Sequence, residues 1–397
     1  MTDTKKQKFR TVKTDPKELE QKIRKRRMKV AACIAVAAIV LAVAAAGAGI
    51  YYNLKEYKEF EVRSEIERND SKATKYESFA GSILRYNNDG AFYLDMSNNK
   101  IWNQTFEMQE PIVDICGNYA AVADLHGSQI HIMDTVGMQG MVTTAKPIEA
   151  ICIAGQGTIA VLTQEGGVSY LELYNKSGEN LASGQIHVTN SGYPLDIALS
   201  NDANKLAVSI LDISKGAAQT TVSFYNFSSV GQNEIDNMVG SYTYADTVVP
   251  EIEFAADDRL IAFGDNKVIF FGGTQRPEEL LVHELEKDVK SIFYDESYFG
   301  FVFSNENAGD SYKMEIYDTN GRLQSEQDFV MPYQTIEFLA NHEICIRSEF
   351  GCAIYTLRGI EKFTYEFDRE LYKIFSGGTG RRYTFILDGI MEQVKLK

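Results

Sequence analysis

Five histidines, five cysteines and 55 acidic side chains are the residues of this chain that could do chemistry. His126 and His131 are close enough in sequence to meet across one turn. Zinc takes three or four protein ligands, and no third lies near them, so a turn histidine and a strand histidine is the reading. Cys116, Cys152, Cys345 and Cys352 form no C-x-x-C pair, and three of the four sit in apolar runs where a thiol behaves as a small hydrophobe. Disulfides among them are possible but not needed by a fold of this size. Asp257-Asp258 and Glu278-Glu279 are adjacent acids. Carboxylate catalysis needs two such groups at a set separation in a cleft, which spacing alone does not supply, so these read as solvated loop faces.

Other clusters dissolve in the same way. Asn87-Asn88-Asp89-Gly90 and Asp318-Thr319-Asn320-Gly321 have the start of a calcium loop without its closing Glu, and read as hairpin turns. Gly155-Gln156-Gly157 and Gly377-Gly378-Thr379-Gly380 each precede a strand rather than a helix, so no helix N-terminus is there to hold phosphate. No G-x-S-x-G, H-E-x-x-H or Walker pattern occurs. Four N-x-S/T sequons, at Asn69, Asn103, Asn175 and Asn226, have meaning only in a glycosylating secretory pathway. The sequence names no catalytic residue, no metal ligand and no cofactor site.

The elements that position these residues begin with an apolar stretch. Residues 30–52 are 23 consecutive residues without a charge, amide or proline. At about 1.5 Å per residue a helix of that length crosses a hydrocarbon core of about 30 Å. Residues 1–29 hold 12 Lys or Arg against 4 Asp or Glu, a balance of +8, and the rest of the chain holds 40 − 12 = 28 against 55 − 4 = 51, a balance of −23. Basic flanks resist translocation, so residues 1–29 are expected as a cytoplasmic tail, 30–52 as an uncleaved transmembrane helix, and the remainder outside the cell membrane. Ala45-x-x-x-Gly49 offers small-residue spacing for a homodimer through that helix. Residues 53–74, dense in alternating charge with apolar residues at helical spacing, are expected to form a helical or semi-rigid stalk.

From residue 75 the texture is all-β. Short runs of β-branched and aromatic residues alternate with Gly, Asn and Asp turns. A frame of three strands recurs with starts at 75, 112, 148, 195, 251, 289, 335 and 371, and most intervals leave room for a fourth strand. Four strands every 36 to 56 residues is the period of a β-propeller blade. Eight blades are expected over 75–397, with seven as the alternative. The last unit lacks an outer strand, which a segment near the stalk would complete if the blade is not left three-stranded. Tyr242, Tyr244, Tyr298 and Tyr333 form a loop surplus that could build a binding face, although packing is the favoured reading for any single Tyr, and residues 231–249 are the longest insertion, the place to look for a partner.

The segment GAFYLDMSNNKIWNQTFEM resembles the repeats of pyrroloquinoline-quinone-type and WD40-like propellers, although no cofactor signature recurs from blade to blade. YNNDGAFYLD, IWNQTFEMQEPIVDICGNYAAVAD, SGYPLDIALSNDANKLAVS, VSFYNFSSVG and TVVPEIEF resemble an uncharacterised family of single-pass, membrane-anchored propeller proteins of Gram-positive bacteria. That resemblance implies fold and topology but supplies no activity and no catalytic residues.

The acidic balance excludes nucleic acid, whose affinity comes from phosphate neutralisation by Lys and Arg. Two partners are expected: the lipid bilayer, through residues 30–52, and an envelope protein, peptide or glycan docked by a non-enzymatic binding or scaffold module. The alternatives are a lyase- or glycosidase-type propeller enzyme with carboxylates at the channel mouth, and a structural spacer in envelope assembly.

Overall fold

Alternating apolar and polar residues between Asx-rich turns fold as eight antiparallel sheets of four strands each. The structure is a computed structural model and describes residues 16–397 apart from 215, 306–310 and 379. Blade 1 runs from its inner strand, Lys75–Phe79, through Ser82–Asn87 and Gly90–Leu94 to an outer strand, Lys100–Thr105. Blades 2 to 7 repeat that order from the inner strands Pro111–Cys116, Ile148–Ile153, Tyr193–Leu199, Glu251–Ala256, Val289–Tyr294 and Thr335–Phe338. Each of the eight repeat starts read in the sequence falls on or beside an inner strand.

The second strands, such as Tyr119–Asp124 and Ile159–Glu165, are buried along most of their length because neighbouring blades cover both faces. Outer strands such as Lys100–Thr105 and Leu323–Phe329 alternate exposed and half-buried residues, the mark of one wet face. Aromatic rings fill the seams. Phe263 of blade 5 stacks on Tyr294 of blade 6 at 5.5 Å, and Phe293 of blade 6 meets Phe338 of blade 7 at 5.0 Å.

Blade 8 is made from both ends of the ring. Leu371–Ser376, Arg382–Leu387 and Ile390–Leu396 supply three strands, and Phe60–Glu67 is added antiparallel as the fourth, with Phe60 opposite Leu396 and Glu67 opposite Ile390. The expectation of a helical stalk over 53–74 is corrected here. Helix ends at Leu54, the Tyr57 amide donates to Lys362 O at 2.8 Å, and residues 60–67 are strand. An exposed outer strand carries charge at alternate places, and in Phe60–Glu67 that alternation imitates helical amphipathicity.

Phe60 locks the closure. Its ring lies 4.9 Å from Tyr365, 5.3 Å from Phe385 and 6.2 Å from both Phe363 and Phe367, so it bridges blades 7 and 8. At the other end of the same strand Arg68 donates to Leu387 O at 2.6 Å and to Asp70 at 3.0 Å. The eight-blade count is therefore the architecture, and the missing outer strand comes from the N-terminal side.

The chain also forms the helix Pro16–Leu54, which contains a stretch, Ile23–Ala44, long and apolar enough to cross a membrane. It extends beyond the expected span at 30–52 and takes in the basic run before it. Residues 1–15 of the tail, and the side chains at the Ala45-x-x-x-Gly49 spacing, lie outside the described residues.

Candidate functional site

The inner strands bring one comparable position from every blade to the bore of the ring: Glu77, Asp114, Ala150, Asp196, Glu253, Ser291, Glu337 and Lys373. In blades 3, 4, 6 and 8 a register shift falls between Ile148 and Ala150, Pro194 and Asp196, Val289 and Ser291, and Leu371 and Lys373. Such a bulge re-aims the side chain that follows it.

These side chains stitch neighbouring blades together. Asp114 accepts from the Ile153 amide at 2.6 Å, joining blades 2 and 3. The Leu199 amide reaches Cys152 Sγ at 3.2 Å, joining blades 3 and 4. Asp196 accepts from the Ile252 amide at 2.8 Å, joining blades 4 and 5. Glu251 and Tyr294 share a hydrogen bond between blades 5 and 6. Ser291 and the Tyr333 hydroxyl are 2.7 Å apart across the next seam. Lys373 reaches Glu337 at 2.7 Å and Glu77 at 2.9 Å, tying blade 8 to blades 7 and 1.

Electrostatically the bore has two halves. Burial works against charge on Lys373, but Glu337 and Glu77 outweigh it and hold the ammonium firmly protonated. Asp114, Asp196, Glu251 and Glu253 lack such a cation. Burial pushes the Asp196 carboxyl up to about 7 against the pull of the Ile252 and Ile197 amides. Glu253 is pushed well above the carboxylate range by burial, then by Asp114 and Asp196. Burial raises Asp114 and Glu251 as well. The thiols follow the same rule: burial and then Asp114 push Cys116 up to about 11. A thiol so protonated is a poor nucleophile at neutral pH.

The residues singled out in the sequence are dispersed. His126 occupies a turn with φ of 60°, 3.6 Å from Glu149, whereas His131 is a buried strand residue against Phe106, and burial pushes its imidazole down. Among the described residues no group of His, Cys, Asp and Glu is arranged to hold a metal ion. Asn87 Oδ1 accepts from the amides of Asp89 and Gly90, and Asp318 Oδ1 from those of Asn320 and Arg322, so both resemblances to calcium loops are turns. Asp257 accepts from the Asp202 amide at 2.8 Å, and Glu279 from the Tyr244 hydroxyl at 2.5 Å. The cysteines are unpaired.

The tyrosines of the loop surplus pack, the favoured of the two readings, and two of them lie in an outer strand rather than a loop. Tyr242 and Tyr244 belong to the outer strand Met238–Ala245, and Tyr298 opens the strand Tyr298–Asn305. Tyr242 packs on Phe271 of blade 5 at 5.2 Å, Tyr298 on His342 of blade 7 at 5.4 Å, and Tyr333 on Tyr312 at 5.2 Å. They fill seams. Much of the 231–249 insertion is that same outer strand, preceded by two short 3-10 turns, Gly231–Asn233 and Ile235–Asn237. The bore positions carried no local signal beyond one polar residue inside an apolar strand, and Lys373 with Glu77 and Glu337 was missed.

A family model covers residues 53–396, from the end of the helix through the clasping strand to the last blade. The chain belongs to the family of unknown function DUF5711. Among solved structures it is similar to the C-terminal WD40 domain of Sif2, at 11% identity over 86% of this chain and 100% of that one, with a TM-score of 0.55. It is similar also to Sqt1 of Saccharomyces cerevisiae, at 12% identity over 86% of this chain and 99% of that one, with a TM-score of 0.54. At such identities these likenesses show the propeller fold alone. No curated protein matches the sequence.

Proposed function

We propose that this chain is a membrane-anchored, extracytoplasmic propeller that binds an envelope protein, peptide or glycan without turning it over. One observation carries the non-enzymatic reading. Asp114, Asp196, Glu77 and Glu337, four of the carboxylates that a lyase or glycosidase would aim at substrate, are bonded to the next blade's backbone or to Lys373. A WD40-like ring offers broad loop faces for docking, and the apolar helix with its basic N-terminal flank supports the anchor and its orientation. Crosslinking in intact cells followed by affinity capture of the full chain is the test. Recovery of one stoichiometric envelope partner supports the reading; substrate turnover by the purified chain overturns it. Protease accessibility of the propeller from outside intact cells tests the orientation.

A further inference from the structure

An open cleft of about 1010 Å³ lies where blades 7, 8 and 1 meet, and nothing in the bore explains it. Its charged lining is Arg63, Arg382, Lys395 and Glu343. The single acid is already occupied, because the Lys362 ammonium and the Tyr383 hydroxyl both donate to Glu343. Arg63 shares Glu61, at 3.0 Å, with Lys397 at 3.9 Å. Arg382 and Lys395 stand directly opposite each other on the ladder between Arg382–Leu387 and Ile390–Leu396. On its other side Lys395 stands opposite Glu61, an acid already paired with Arg63 and Lys397, and among the described residues neither Arg382 nor Lys395 makes an ion pair.

Like charges directly opposite on a sheet destabilise it unless an anion lies between them. The arrangement also runs against the chain, whose balance beyond residue 29 is −23 (28 basic against 51 acidic residues). Around the cations stand neutral hydrogen-bonding groups, including Asn341, Ser376, Thr384 and Gln393, and Met96, Ala340, Tyr383 and Val394 add apolar surface. The charge of this lining, rather than its apolar surface, is what sets it apart from the rest of the acidic chain. Guanidinium forks suit phosphate and carboxylate.

We propose that this cleft binds the oxyanions, phosphate or carboxylate, of a hydroxyl-bearing anionic polymer. The assignment rests on the binding-module reading and names its ligand class. The test is calorimetric titration of the full chain, held in phosphatidylcholine nanodiscs, with a glycerol-phosphate hexamer, an oligogalacturonate hexamer and neutral maltohexaose. At least one charged hexamer is expected to bind, more weakly as salt rises, and the preferred one identifies the oxyanion. R382Q and K395Q are each expected to lower its affinity about tenfold, and R382E/K395E to abolish it. K287Q, which removes an exposed charge elsewhere, should change nothing.

Because Arg382 is exposed, denaturation of R382Q should match the parent, and K395Q gives the same readout should R382Q fail to fold. Equal binding of maltohexaose, unchanged affinity in both single variants, no binding of either charged hexamer, or tighter binding of hexaglutamate would each overturn the assignment. If R382E/K395E still captures the envelope partner from cells, the cleft loses its role while the binding-module reading stands.

Discussion

Replacing Asp196 by Asn isolates the electrostatic cost of the cation-poor half of the bore. The native carboxyl titrates at about 7 instead of its ordinary 3.8, because burial disfavours the charged form. Between those values the folded chain holds a proton that the unfolded chain has released. This contribution to stability is therefore greatest below about pH 4 and is lost as pH rises towards 7. Roughly three pH units at 1.36 kcal/mol each give about 4 kcal/mol as an upper bound. Asp196 is only half-buried, and solvent screening of its charge reduces the expected effect to about 1–3 kcal/mol at pH 8. Asn keeps an oxygen for the Ile252 and Ile197 amides and never ionises, and its loss of charge also eases Glu253, which Asp196 pushes up. Urea denaturation of the full chain, followed through its single tryptophan, Trp102, measures the difference from pH 4.5 to 8. D196N should be the more stable at pH 8, with its advantage shrinking towards pH 4.5. A D196N chain that is less stable at pH 8, or a difference that does not move with pH, would refute the reasoning.

The other perturbations concern the clasp, the ion triad and the thiols. F60A removes a ring that touches four others and should cost about 3 kcal/mol in the same denaturation assay. K373M strands Glu77 and Glu337 and should cost about 3–5 kcal/mol, most of it regained in K373M/E77Q/E337Q; a triple variant as unstable as the single one would show that packing, not charge, was lost. Cys116, Cys152, Cys345 and Cys352 should resist alkylation at pH 7.5 until the ring is unfolded, and non-reducing mass spectrometry should find all four as thiols.

The repeat was legible because inner strands are local objects. VDIC, EAICI and LDIAL announce themselves by β-branched runs and a following turn, and the structure places the inner strands of blades 2, 3 and 4 there. That a segment near the stalk completes the last blade was one of two readings, but the strand Phe60–Glu67 itself was hidden, since its partner lies more than 300 residues away and its exposed charges resemble those of a solvated helix. The bore was half legible. A lone Asp or Lys in an apolar strand is visible at Asp114, Asp196 and Lys373, but what it reaches depends on ring closure. Lys373 and Glu77 are 296 residues apart, and no spacing rule joins them. The tyrosines left two readings open because Tyr has the same composition signal in a seam as on a docking face, and the seam is where they lie.

The shared eighth blade sets the order in which this chain can finish folding. Its outermost strand is synthesised before the other seven blades and its neighbour after them, where the Lys397 amide donates to Glu59 O at 3.0 Å. A nascent chain thus carries an orphaned sheet edge until residues 390–396 emerge, and truncation before Ile390 should leave an open arc rather than a smaller ring.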